Sequence, residues 1–391
     1  MEPLSSCRIP ATRNAVYVGF ARYDREGYDL NHPLLDIPRA SLTFDLINAY
    51  GAFAEGEYLA GPTVPPDLLR THHSPDYIDA LRESEELGFV RSAVRERYNI
   101  GTMENPWFPE LYTLPALMTG CSIRAAEEVI RGRTAFSPTG GMHHAKPDRA
   151  SGFGYLNDGV LAIHRLREEG LRVLYVDIDA HHGDGVERAF ADDPEVFTFS
   201  LHMDTGYAFP FTGGRLADQG GPGGEASCLN VPLPKGTHDA DYDALFTALW
   251  PRVLADFLPD VVVLEPGTDA IGGDPLGKLE ITTQQFLRIV ERIHRDSPRL
   301  LVLGGGGYHP LLLARAWAGV WGILSGRDLP EAIPEAGQAL LAGVEWDLAD
   351  DEEDERFVRS RLDEAVDRPL SAEPDRILEE ARRLHPRLRG L

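Results

Sequence analysis

The sequence predicts an α/β fold: a single-domain, three-layer αβα sandwich around a mainly parallel central sheet. Three observations carry this expectation. Several short runs rich in β-branched residues are apolar almost throughout and stop at Gly, Asp or Pro, as strands covered on both faces do. Segments with helical apolar spacing lie between them, as βαβ units require. The alternation runs from about residue 15 to about residue 325 without a linker, so the 391 residues read as one domain.

The elements follow in chain order. Residues 15–20 form an early strand candidate, and 110–131 a long helical stretch. A helix over 157–169 opens with the capping pair Asn157-Asp158 and carries Val160, Leu161, Ile163, His164 and Leu166 at helical spacing. Residues 172–179 give the clearest strand, and 196–201 the next. Helical patterns over 242–257 and 282–295 flank a strand over 260–265, and 300–303 is the last strand. The stretch 345–380 holds 15 acidic and 5 basic residues and reads as a solvated surface. This acidic C-terminal region, 345–391, is expected to pack as helices or stay partly flexible, with a short helix over 375–384 ended by Pro386.

Composition narrows the function. There are 38 basic and 62 acidic side chains, a formal charge of −24, which argues against a dedicated binder of nucleic-acid backbone. Ordinary apolar and charged fractions exclude wholesale disorder, collagen and a coiled-coil rod. Cys7, Cys121 and Cys228 include no CxxC pair, so no disulfide framework is expected and a reducing compartment is. The first 15 residues lack an apolar core for a signal peptide, and the most apolar run, 311–324, is short and carries Arg315. A cytoplasmic protein with no membrane or direct nucleic-acid partner is expected. Lysine occurs only at 146, 235 and 278; the arginine bias, with high Ala, Gly and Pro, points to a GC-rich bacterial coding sequence.

Four segments carry chemistry. Asp177-Ile-Asp179-Ala-His181-His182-Gly-Asp184 places three carboxylates and two imidazoles at the end of an apolar strand, the end that faces the ligand crevice in open α/β sheets. On an extended chain Asp177, Asp179 and His181 project to one side. Asp and His without a thiolate suit a catalytic Zn²⁺ or Fe²⁺, and carboxylates so close repel without a cation. Gly140-Gly-Met-His143-His144 can aim two imidazoles at one site as base and acid. The neighbouring Ser151-Gly152-Phe153-Gly-Tyr155 sets an aromatic in a glycine frame, plausible as a pocket wall. Glu265-Pro-Gly-Thr-Asp269 follows another apolar strand and could supply a third ligand. Leu303-Gly-Gly-Gly306-Gly-Tyr308 frees the backbone after a strand and exposes a hydroxyl. His72-His73 reads as structural. No HExxH, Walker A or GxSxG pattern occurs.

In this order the four segments resemble the arginase-like histone deacetylase superfamily over about residues 15–325. Gly-Thr-Met-Glu-Asn-Pro at 101–106 is similar to the bacterial acetoin-utilisation (AcuC-type) branch. The resemblance implies zinc-dependent removal of acetyl groups from lysine ε-amines. It implies Asp179, His181 and Asp269 as zinc ligands, with Fe²⁺ the alternative metal. It makes His143, His144 and Tyr308 catalytic, with Asp177 and Asp184 orienting the histidines. A structural K⁺ is implied at Asp177, Asp179, His181, Ser200 and Leu201. Phe153 and Phe209 match tunnel walls, Leu276 the rim, and Gly152 and Gly306 further substrate contacts. Two departures stand out: Glu104 occupies a rim position where relatives carry an aspartate that grips the substrate backbone, and Glu265-Pro266 replaces less charged residues before the third ligand.

The implied partner is an acetylated protein, an acyl-CoA synthetase being the expectation from the branch. Small acetylated amines such as acetylpolyamines are the alternative, which an acidic surface favours. A non-catalytic module that binds acetyl-lysine is a third reading, opposed by the full set of ligands, histidines and tyrosine. An arginase-like dinuclear manganese site needs a second carboxylate-rich strand end that the Asp269 segment does not convincingly provide, and it leaves Tyr308 unexplained.

Overall fold

The computed structural model of the protein describes residues 7–20, 38–224, 226–346, 348, 356–363 and 368–388. Its strands are β1 (Ala15–Gly19), β2 (Tyr58–Ala60), β3 (Thr134–Phe136), β4 (Val173–Asp177), β5 (Val196–Met203), β6 (Cys228–Leu233), β7 (Val261–Glu265) and β8 (Leu300–Val302). They form one sheet in the order β2-β1-β3-β8-β7-β4-β5-β6, and every neighbouring pair among the described residues is parallel.

Successive strand residues feed opposite faces. Tyr17, Phe136, Leu174, Val176, Phe197, Phe199, Val262, Leu264 and Val302 pack into the core with α1 (Arg39–Tyr50), α8 (Asp239–Phe257), α9 (Thr283–Asp296) and α10 (Pro310–Ser325). Val16, Val18, Ala135, Val173, Tyr175, Val261, Val263 and Leu301 join α5 (Thr113–Ile130) and α6 (Asp158–Glu168) on the other face. Burial on both sides is why these strands read as continuous apolar runs, and the expected three layers are present. Shorter helices complete the chain: α2 (Pro66–Leu69), α3 (Pro75–Leu87), α4 (Ser92–Tyr98), α7 (Asp184–Phe190), α11 (Glu335–Ala342) and α12 (Glu373–Leu384).

Several elements differ from the sequence expectation. The strand expected to reach residue 179 ends at Asp177, because the Asp179 amide bonds Asp177 Oδ1 (3.1 Å) and the Ala180 amide bonds Asp269 Oδ1 (2.9 Å) instead of a neighbouring strand. Strands β2 and β3 span three residues each, too short to show a period, and Asn230 and Pro232 interrupt the apolar run of β6. The apolar segment 311–324 lies in α10, which is buried on nearly every side and ends at Gly326 with φ of 67°. Among the described residues no helix is long and apolar enough to cross a membrane. The short C-terminal helix exists and starts two residues early, with Pro374 in its first turn. Its Ile377, Leu378 and Ala381 are buried, so this part of the acidic region packs as helix, while 347, 349–355, 364–367 and 389–391 lie outside the described residues.

The sheet order positions the site. Strands β3, β8, β7 and β4 are consecutive neighbours, and all four chemistry-bearing segments leave their carboxyl ends. Sequence-distant loops therefore meet in one crevice, where α/β sheets bind ligands.

Candidate active site

The loop after β4 carries Asp179 and His181, and a single helical turn after β7 carries Asp269 (Thr268–Ala270). Their donor atoms lie within 4.8 Å of one another, and all three residues are buried. His181 Nδ1 is 2.9 Å from Asp269 Oδ2 and 3.3 Å from Asp179 Oδ1. Backbone amides fix the carboxylates: Gly306 N–H donates to Asp179 Oδ2 (2.6 Å), and His181 N–H to Asp179 Oδ1 (2.8 Å). Burial and the Asp179 charge push the Asp269 carboxyl up to about 7. Two carboxylates and one imidazole so enclosed ask for a cation, and this mixed O/N set without sulfur fits zinc or ferrous iron.

The histidine pair beside this cluster is polarised in opposite senses. His143 Nδ1–H donates to Asp177 Oδ2 (2.9 Å), and Tyr175 OH donates to the same oxygen (3.0 Å). Burial disfavours the His143 imidazolium, but Asp177 and Asp179 outweigh it and raise its pKa well above the ordinary value. His144 Nδ1–H donates to Asp184 Oδ1 (3.0 Å), to which Lys146 also donates. Burial and the neighbouring His143 charge push His144 down to about 3. The two Nε2 atoms lie 3.0 Å apart, and each ring is held through Nδ1 by its own carboxylate. His144 Nε2 is the atom left with a lone pair.

Asp274 holds the tyrosine loop, accepting from the amides of Tyr308 (2.6 Å) and His309 (3.2 Å). The Tyr308 ring packs against Phe153 (5.7 Å between centroids) and under the Arg39 guanidinium. Phe209 meets His144 edge to face at 4.7 Å. Gly152 packs against both the His144 and Phe209 rings: a Cβ there would lie 2.4 Å from His144 Cδ2 and 2.8 Å from Phe209 Cε1.

Two cavities meet here, sharing His144, Gly152, Phe153, His181 and Tyr308. The outer one, about 270 Å³, is also lined by Glu104, Phe209, Leu276 and Lys278. The inner one, about 190 Å³, is apolar through Phe108, Leu114, Pro115 and Met118, and is reached by Arg39, Gly306 and Asp269. Apart from the pair expected for potassium at Ser200 and Leu201, every candidate residue thus lines a cavity or bonds one that does. Ser200 pairs directly with Asp177 across β4 and β5, and its hydroxyl bonds His202 Nδ1 (2.7 Å). His73 bonds the Lys146 carbonyl and the Asn157 amide, a structural role.

Sequence reasoning missed Arg39, Lys146 and Asp274. Arg39 donates to the Gly305 carbonyl and stacks on Tyr308 and Trp317 from a helix remote in sequence, with no local signal. Lys146 had one signal, as one of three lysines in the chain. Asp274 stands five residues after Asp269 in the same polar turn.

The departures are both resolved structurally. Glu104 is bonded to protein on both oxygens, to Gly152 N–H (2.7 Å) and Asn99 Nδ2 (3.1 Å). Glu265, paired across from Asp177 in the sheet, is fully buried and 3.6 Å from His143 Nδ1, and neither carboxyl oxygen has a hydrogen-bond partner among the described residues.

A family model for the histone deacetylase domain matches residues 33–324. Histone deacetylase 8 of Xenopus tropicalis is 38% identical over 299 residues, 76% of this chain and 80% of that protein. Human histone deacetylase 1 is 36% identical over 310 residues, 78% of this chain and 64% of that protein. Among solved structures, an HDAC homolog complexed with SAHA superposes with a TM-score of 0.90 at 36% identity, covering 94% of this chain and 100% of that one. An HDAC homolog from Aquifex aeolicus gives 0.89 at 37% identity, with the same coverage.

Proposed function

The chain belongs to the histone deacetylase family, and from that premise we propose that it is a single-domain, zinc-dependent hydrolase that releases acetate from N6-acetyl-lysine in proteins. The observation that carries the reading is one cavity lined by the Asp179–His181–Asp269 cluster, by Tyr308 and by His143 and His144, whose Nε2 atoms lie 3.0 Å apart while each Nδ1 is bonded to its own carboxylate. Asp179, His181 and Asp269 would hold the metal. Bound zinc supplies Lewis acidity toward an amide carbonyl and water.

The chain's own residues do the rest. His144 Nε2 takes the proton of the attacking water, with Asp184 holding the opposite nitrogen and so the tautomer. Tyr308 OH donates to the carbonyl oxygen as negative charge develops there. His143, kept charged by Asp177, adds positive charge beside the same centre. His144 then returns the proton to the departing amine. Phe153 and Phe209 border the outer cavity and suit the apolar lysine stem, and the inner cavity takes the acetyl end. A potassium ion at Asp177, Asp179, His181, Ser200 and Leu201 belongs to this proposal, with family resemblance as its support.

An acyl-CoA synthetase remains the expected kind of protein substrate. Lys278 and Glu104 offset each other at the outer cavity, so the lining adds no local attraction for a polycation beyond the acidic surface, and the peptide reading rests on the family. Comparing kcat/KM on acetyl-lysine peptides and on acetylspermidine tests this. The peptide is expected to win; a clear polyamine preference overturns the substrate assignment.

A further inference from the structure

We propose that Glu104 is a positioning residue for the wall of the lysine tunnel, a role it plays whether or not the substrate carries a peptide backbone. This rests on the deacetylase reading. The wall is a two-residue hairpin: Ser151 and Gly154 exchange amide bonds (3.0 and 2.8 Å), and both central residues, Gly152 and Phe153, have left-handed φ (54° and 64°). Phenylalanine keeps such a conformation only where its surroundings hold it. The hairpin's own pairing leaves the Gly152 amide unused, and Glu104 Oε1 accepts it at 2.7 Å.

The other carboxylate oxygen anchors the clamp. Glu104 Oε2 accepts from Asn99 Nδ2 (3.1 Å), and the same amide nitrogen donates to the Ala150 carbonyl (3.2 Å). Glu104 and Asn99 thus tie down the chain on both sides of Ser151. A carboxylate–amide bond of this kind is stronger than a neutral one. Gly152 is also the residue packed against the His144 ring, so tight that no Cβ fits between them. Any drift of the hairpin therefore moves the wall against His144 as well as displacing Phe153. Each oxygen thus serves a protein donor, one holding the wall and one the anchor, so the residue acts on the lysine stem in the tunnel even where no peptide backbone is present.

The test compares two substrates: an acetyl-lysine peptide, and N-butylacetamide, which is the acetylated side chain without any backbone amide. Glu104→Ala and Glu104→Asp (too short to span both partners) should lower kcat/KM by about 10- to 100-fold, the scale of a misplaced active-site wall, on both substrates. Glu104→Gln keeps an acceptor for Gly152 N–H and should recover part of the loss on both. In parallel, amide hydrogen exchange at Gly152 should be slow in the wild type and faster in Glu104→Ala, at unchanged melting temperature. A loss confined to the peptide, no loss on either substrate, or unaltered Gly152 exchange overturns the proposal. Wild-type protein that cleaves neither substrate refutes the deacetylase reading, while the exchange measurement still decides the role of Glu104.

Discussion

Replacing Glu265 by Gln should stabilise the protein increasingly as pH rises. The side chain ends β7, has no exposed surface and sits 3.6 Å from His143 Nδ1. Burial disfavours its charge; His143 opposes that effect, while Asp177, Asp179 and Asp158 reinforce it, and the net result is a pKa raised well above 4.5. The buried hydroxyl of Tyr175, bonded to Asp177, faces the same group and adds no positive charge. A carboxyl with a raised folded-state pKa keeps its proton when the unfolded chain has lost it. Its preference for the folded state is complete below the unfolded value and erodes as pH climbs toward the folded one. One proton is at stake, so the erosion is at most about 1.4 kcal/mol per pH unit between the unfolded and folded values. Glutamine keeps the shape without titrating. Urea denaturation of the zinc-loaded wild type and Glu265→Gln at pH 5, 6, 7 and 8 measures the difference. Curves that stay parallel over this range would refute a neutral, buried Glu265.

Two further outcomes follow from the site. Tyr308→Phe removes a hydroxyl for which the described residues show no protein partner, while the ring keeps its contact with Phe153; kcat on an acetyl-lysine peptide should fall about 100- to 1,000-fold with the melting temperature nearly unchanged. Gly152→Ala inserts a Cβ 2.4 Å from His144 Cδ2 at a φ of 54°, so turnover should fall about 100-fold or more through displacement of His144, with the circular dichroism spectrum retained.

Legibility in the sequence followed length and locality. Strands β4, β5 and β7 were readable because all their residues are buried, which leaves four apolar residues in a row in β4 (173–176) and β7 (261–264) and an apolar residue at every second position of β5. Helix α6 was readable because Asn157 caps it by accepting from Val160 N–H and because it is polar on one side only. Helix α10 carried no period because Trp317, Trp321 and their neighbours are buried all round. The site was legible as four motifs, yet their union depends on the order β3-β8-β7-β4, which no local pattern encodes. The same holds for Arg39, brought to Tyr308 by packing alone, and for Glu104, whose bond to Gly152 spans 48 residues.

The central claim is that the Asp179–His181–Asp269 cluster, the histidine pair and Tyr308 together hydrolyse an acetyl-lysine amide with a bound divalent metal. Metal-stripped protein should release no acetate from an acetyl-lysine peptide, and stoichiometric Zn²⁺ should restore release. Protein shown to bind zinc that still leaves the peptide intact would contradict it.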